Sequence, residues 1–174
     1  MQEAFSKEKQ LFTPSPHSNK LFPNDQVMKY VANSHEHYLV IGKLLGITIL
    51  YGLQITVPIA RYVIKQIFHK QTTGTQLISD LAELDQQLFE NLMSLKNMDP
   101  QRVQDLDLNF EYTDSSGRSV ELIPDGKNTS VTKENRLLYI EKVAKLKLST
   151  GIEQQLNSIK DGLEAVFPSY AHFL

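Results

Sequence analysis

The sequence predicts an α+β fold, mainly helical, in two subdomains, with a small β-hairpin in the smaller one. Three observations carry that prediction. Apolar residues recur at helical spacing between Tyr38 and Ile49, Ile59 and Ile67, Leu137 and Leu146, and Ile152 and Val166. The stretch LDLNFEYT, residues 106–113, alternates apolar and polar side chains, and a turn cluster separates it from a short return at Val120–Leu122. The composition, 41% hydrophobic and 22% charged over 174 residues, is that of an ordinary soluble chain long enough to bury a real core.

The bounds exclude several classes. A formal net charge of −2 lacks the basic excess of a nucleic-acid binder. The chain has no cysteine, so these residues hold no disulfide, thiolate metal site or cysteine nucleophile. That is compatible with a reducing cytosol, and the expected location is cytoplasmic or nuclear. Met1–Gln10 is polar and charged, unlike a signal peptide. The most apolar region, Leu44–Ala60, is interrupted by Gly46, Gly52, Gln54 and Pro58, so a buried helix pair is expected there rather than a membrane span.

Taken in order, residues 11–25 hold three prolines and two asparagines. They predict turn-rich extended chain with short edge strands at Leu11-Phe12 and Leu21-Phe22, and with His17 in an exposed loop. His35–Tyr51 reads as a helix with Tyr38, Ile41, Leu45, Thr48 and Ile49 on its buried stripe. Gly42 and Gly46 stand one turn apart, where another backbone could approach. Gly52 ends that helix. Thr56 and Pro58 open the next, whose stripe is Ile59, Tyr62, Val63, Gln66 and Ile67. Residues 70–76 form a hinge-like polar loop. A short and a longer helix follow, with Asp85 as N-cap and Leu88, Leu92 and Leu95 on one face of the second, stopped by Asp99-Pro100.

Leu106–Thr113 is then a strand with Leu106, Leu108, Phe110 and Tyr112 on one face. Residues 114–117 turn it back into Val120–Leu122 as a hairpin. At Pro124-Asp125-Gly126 proline presets φ and glycine takes the positive-φ position. Thr132 caps the central helix, with Glu134 in its first turn. Tyr139, Val143 and Leu146 share one face of it, Leu137, Ile140 and Ala144 another, and lysines 142, 145 and 147 go to solvent. Thr150 and Glu153 form a capping box for a last helix, Ile152–Val166, striped by Ile152, Leu156, Ile159, Leu163 and Val166.

Self-contained chemistry is hard to find. Asn128-Thr129-Ser130 is a sequon by chance, Gly126-Lys127 lacks the upstream glycine of a phosphate loop, and five scattered histidines make no triad. His35 and His37, two apart, fall on different helix faces, which is the wrong spacing for a metal.

One phrase points further. Gly126-Lys127-Asn128, Val131-Thr132, Glu134-Asn135-Arg136 and Tyr139 resemble the NGK–VTxENR–Y signature of HECT-type ubiquitin ligases. The resemblance extends in order over roughly residues 11–170. It includes the LF–PN passage, Tyr38 with Ile41-Gly42, Gly46 and Gly52, the VPIARYVIK phrase, the leucine-aspartate phrases at 81–92, and GIEQQLNSIKDGLEAVFP.

The resemblance implies the amino-terminal lobe of the ligase catalytic domain, with a larger subdomain over 1–70 plus 150–174 and a smaller one over 71–149, and with no cofactor and no catalytic residue in this chain. In that family the lobe docks a ubiquitin-conjugating enzyme, and ubiquitin passes to a cysteine on a separate carboxy-terminal lobe. This fragment alone is therefore expected to be inactive. Carried over by position, the docking groove is Leu88 and Leu92, Leu106 and Leu108, and Tyr139 and Val143, with Val143 standing where the family often has an aromatic. The implied partners are the conjugating enzyme, ubiquitin as its thioester, and protein substrates held by other regions, with no nucleic acid and no membrane span. A stand-alone interaction module with the same fold is the alternative from another class, and a membrane-associated helical protein the third.

Overall fold

The computed structural model describes residues 11–27, 31–68, 74–113, 117 and 119–168. The fold is α+β and mainly helical, and the chain divides into two compact units. One comprises Met1–Thr72 and Ser149–Leu174, the other Thr73–Leu148. No described helix is long and apolar enough to cross a membrane.

The first unit begins with strands β1 (Phe12–Pro14) and β2 (Leu21–Pro23), paired antiparallel with Thr13 opposite Phe22. Helix α1 (Ser34–Leu50) follows, then α2 (Arg61–Ile67); α7 (Glu153–Val166) returns to the same unit. The periodic residues Tyr38, Ile41 and Leu45 of α1 are buried, as are Leu156, Ile159 and Leu163 of α7, so the two apolar stripes meet. Ile49, expected on the α1 stripe, is exposed instead. Thr48 stays buried by donating its hydroxyl back to the Leu45 carbonyl at 2.7 Å.

Two glycines set the approach of α1 to α7. A Cβ on Gly42 would lie 2.0 Å from the Ile159 carbonyl oxygen, and one on Gly162 would lie 2.0 Å from that of Leu39. Leu39 faces Gly162 and Gly46 faces Val166, so residue numbers climb together and the helices run parallel. At the far end of α1 the Gly52 N–H donates to Ile49 and the Leu53 N–H to Thr48, with Gly52 at φ 61°, which is a Schellman stop.

The second helix starts later than its sequence suggests. Pro58 and Ile59 are extended: the Leu21 N–H donates to the Pro58 carbonyl at 2.8 Å, and the Ala60 N–H to Leu21 at 3.1 Å. That pairing with β2 holds the chain out of helix until Arg61. Ile59, Tyr62, Val63 and Ile67 are nevertheless buried as the stripe requires. Thr150 is not the N-cap of α7. Ile152 occupies the N-cap position of α7, with no side-chain cap bond, two residues beyond Thr150.

The second unit opens with α3 (Gly74–Leu84) and α4 (Gln86–Asn97), which pack on each other. Residues 74–76 of the expected hinge are thus helical; residues 70–73 lie outside the described residues. Asp85 caps α4 as expected, its Oδ1 accepting from the Leu88 N–H at 3.0 Å. Asp99-Pro100 stops α4 but also starts another helix, α5 (Pro100–Asp105), because Asp99 Oδ1 accepts the Gln101 N–H at 2.9 Å and Pro100 needs no donor at N1.

The expected strand from Leu106 is shorter. Asp107 turns left-handed at φ 48°, and only Glu111–Thr113 (β3) pairs, antiparallel with Ser119–Glu121 (β4). The hairpin exists, although residues 114–116 of its turn lie outside the described residues. Helix α6 (Arg136–Ser149) completes the unit.

Candidate functional site

The site is built on the segment that joins β4 to α6. Asp125, not Gly126, takes the positive φ of the turn, at 58°. Its carboxylate accepts from Asn128 Nδ2 at 2.6 Å and its carbonyl from the Thr129 hydroxyl at 2.9 Å. Gly126 is required for another reason: a Cβ there would sit 2.3 Å from the Phe110 carbonyl oxygen. That close passage lets the loop lie along residues 108–110. The Phe110 N–H donates to Thr129 at 2.9 Å, the Val131 N–H donates to Leu108 at 2.7 Å, and Asn109 bridges to Ser130.

The next residues wind the helix. Thr132 Oγ1 accepts from the Glu134 N–H at 3.3 Å, while Asn135 Oδ1 accepts from the Thr132 N–H at 2.7 Å, a reciprocal cap with asparagine in the glutamate position. A hydrogen bond from the Thr132 side chain, the helix-start backbone next, holds the Glu134 carboxyl below its usual range. Asn135 Nδ2 also donates to the Ser130 carbonyl at 3.0 Å. The guanidinium of Arg136 reaches the last turn of α4, donating to the Leu95 carbonyl at 3.3 Å and to that of Met98. A cation there adds to the backbone bond that Leu95 already accepts from the Met98 N–H and complements the negative end of α4. Replacing Arg136 with methionine should therefore cost about 2 kcal/mol, the worth of charge-assisted bonds lost. Urea unfolding would read it, and a change below about 0.5 kcal/mol would mean that water serves those carbonyls equally well.

The six anticipated residues fall into different environments. Tyr139 is 8% exposed and stands edge-on to Phe110, ring centroids 5.6 Å apart at 87°. Burial first, and the Tyr112 phenol second, push the Tyr139 hydroxyl above its ordinary pKa. Val143 is 1% exposed and Leu92 is buried. Leu88 and Leu108 are half-buried. Leu106, at the C-cap of α5, is 47% exposed. Leu106 and Leu108 therefore do not share a strand face, because the left-handed Asp107 lies between them. The geometry joins Tyr139 to the 108–110 segment through Phe110, and joins the end of α4 to the start of α6 through Arg136.

Leu137 and Leu138 are exposed apolar residues that the pattern did not mark as surface. Leu137 was expected on a packed face. Of the three lysines expected in water, Lys147 instead sets its ammonium 5.9 Å from the Tyr112 ring centroid. Among the described residues no group of three histidine, aspartate or glutamate side chains is placed to hold a metal.

Comparison with known proteins adds the following. The model of the HECT-domain (ubiquitin-transferase) family matches residues 1–174. The chain is similar to the E3 ubiquitin-protein ligase HUL5 of Saccharomyces cerevisiae, 32% identical over 149 residues, 84% of this chain and 16% of the yeast protein. It is similar to the ubiquitin-protein ligase E3B of Homo sapiens, 30% identical over 174 residues, 95% of this chain and 16% of the human one. A third relative, the human E3 ubiquitin-protein ligase HECW2, is 26% identical over 167 residues, 94% of this chain and 10% of that protein. The chain thus spans a small part of the length of each relative it matches.

Proposed function

Because this chain belongs to the HECT-domain (ubiquitin-transferase) family, we propose that it is the part of a ubiquitin ligase on which a ubiquitin-conjugating enzyme docks, the acceptor cysteine lying in sequence outside these 174 residues. With no thiol in the chain, the transfer that a thiolate performs on a thioester cannot take place on these residues. The chain contributes a surface and a place.

The Thr73–Leu148 unit serves as the docking subdomain, and the observation that supports this is the exposure of Leu106. It sits on a segment clamped by backbone bonds to the loop before α6, so a large apolar side chain is held in water by a rigid support. Leu88 and Leu108, half-buried, add rim. Tyr139, Leu92 and Val143 are the packed floor that keeps the rim in place. The interface is small and transient, below about 1,200 Å² in total, as suits a carrier that must leave after each transfer.

The test is calorimetric titration of the chain with a panel of conjugating enzymes. At least one should bind. Leu106→Asp should weaken that complex by about 2 kcal/mol, roughly thirtyfold, with an unchanged melting temperature because the side chain is half in water already. If no conjugating enzyme binds, the chain is a non-catalytic interaction module. If binding survives Leu106→Asp, docking uses another surface.

A further inference from the structure

A second site lies in the other unit. The N-terminal end of α1 and the middle of α7 enclose a cavity of about 330 Å³. That is the small end of ligand-sized pockets. His35, Tyr38, Gln154, Asn157, Ser158 and Asp161 line it, and no lysine or arginine is among the described residues that do. Its mouth is open, since His35, Gln154, Asn157 and Asp161 are exposed.

Hydrogen-bond accounting defines what the cavity offers. Ser158 has one hydroxyl proton, which goes to the Gln154 carbonyl at 2.8 Å. His35 Nδ1 lies 2.6 Å from the same Ser158 oxygen. With the Ser158 proton on Gln154, a His35 that carries its proton on Nδ1 donates in this contact and leaves its Nε2 lone pair to the cavity. The Tyr38 hydroxyl donates to the Leu11 carbonyl. Gln155, which also lines the cavity, donates one of its two Nε2 protons to the Asn24 carbonyl at 3.1 Å.

The Ser158 and Tyr38 protons are thus consumed inside the protein, while the Ser34 hydroxyl and one Gln155 N–H also face this region. The acceptors are an imidazole lone pair, the Gln155 oxygen, the Asp161 carboxylate, and two amides, Gln154 and Asn157, that can turn oxygen inward. The start of α1 is weakly positive, about half a charge, but Glu36 in its first turn offsets it and Asp161 adds a full negative charge. A metal is a poor fit, because His35 and Asp161 are only two ligands of the usual kind.

We propose that this cavity seats one cationic side chain, arginine or lysine, from a partner polypeptide. The occupant brings donors to a ring of acceptors and a positive charge to Asp161. This site is separate from the docking surface on the other unit and does not depend on it.

The test is ¹H–¹⁵N NMR titration of the chain with N-acetyl-arginine amide, N-acetyl-lysine amide, the uncharged citrulline analogue and spermidine. The arginine or lysine amide should shift the signals of His35, Asn157, Ser158 and Asp161 at millimolar concentration, and the citrulline analogue should not. Asp161→Asn should weaken the effect about fivefold, the scale of an exposed ion pair. The imidazole nitrogens, read in the same spectra, should show the proton on Nδ1. Equal shifts from citrulline, an unchanged affinity in Asp161→Asn, or a proton on Nε2 would each overturn the site. Tighter binding of spermidine than of either amino-acid amide would overturn the polypeptide as its occupant.

Discussion

Tyr139→Ala should cost the Thr73–Leu148 unit about 3 kcal/mol or more, the range for truncating a buried aromatic. The ring is almost wholly enclosed and meets Phe110 edge-on, a contact worth a further fraction of a kcal/mol to about 1.5. Phe110 in turn carries two of the backbone bonds that tie the hairpin and the 129–131 loop together. Loss of the ring therefore loosens the support under Leu106 as well as leaving a cavity. In a binding assay the variant would look like a docking mutant, but far-UV circular dichroism and a denaturant melt should show the fold failing with it. Tyr139→Phe keeps the ring and should stay within about 1.5 kcal/mol of the parent, as near-isosteric swaps do. If Tyr139→Ala instead leaves the denaturation midpoint unmoved while abolishing binding, the ring is a contact residue and the floor described above is part of the interface. Leu106→Asp is the cleaner probe because its side chain, half in water, has less packing to lose than the Tyr139 ring.

The second large effect is expected at the α1–α7 contact. In Gly42→Ala a methyl carbon is required 2.0 Å from the Ile159 carbonyl oxygen, and the obstacle is backbone, which cannot swing aside as a side chain can. The helices must separate, and every pair along the stripe from Tyr38 to Leu163 loses contact with them. A loss of about 3 kcal/mol is expected, at the upper end for overpacking, despite the gain of about 1 kcal/mol that alanine brings to a helix interior. For a chain of this size that is a fall in melting temperature of about 10 °C. Gly162→Ala should behave alike, its Cβ meeting the Leu39 carbonyl at 2.0 Å. Gly46→Ala is the internal control. Its nearest neighbour is the Val166 Cβ at 3.0 Å, a side chain that can give, so its loss should be much smaller. Scanning calorimetry of the three variants decides the matter; Gly46→Ala as the most damaging of them would contradict the geometry.

Much of this was legible before any coordinate. The stripes of α1, α2 and α7 follow helical spacing and are buried save for Ile49, Gln66 and Val166, the Asp85 cap forms, and Gly42 marks a close approach. Elsewhere local signals were ambiguous in ways that physics explains. Asp99-Pro100 is both a stop and a start, since the residue that cannot continue one helix is preorganised to begin another. The alternation in LDLNFEYT is only a sequence of side-chain types, and it does not reveal that Asp107 reverses φ and breaks the pleat. Thr150 and Glu153 have the spacing of a capping box, but Gly151 at φ 78° lets the chain turn before the helix begins. The signature residues Asn135 and Arg136 read as motif letters until their partners, the Ser130 carbonyl and the end of α4, came into view.

The residues in order were enough to place α1, α4, α6 and α7 to within a few residues and to show that no thiol chemistry happens on this chain. They also carried the family, because periodicity, caps and motif spacing are properties of neighbours along a backbone. Which leucine faces water was decided only by folding. Leu92 and Leu106 are the same side chain in equally apolar phrases, yet one is sealed by α4's packing and the other stands beside a left-handed aspartate with half its surface free. Exposure is set by what arrives from elsewhere in the chain, and no local pattern contains that.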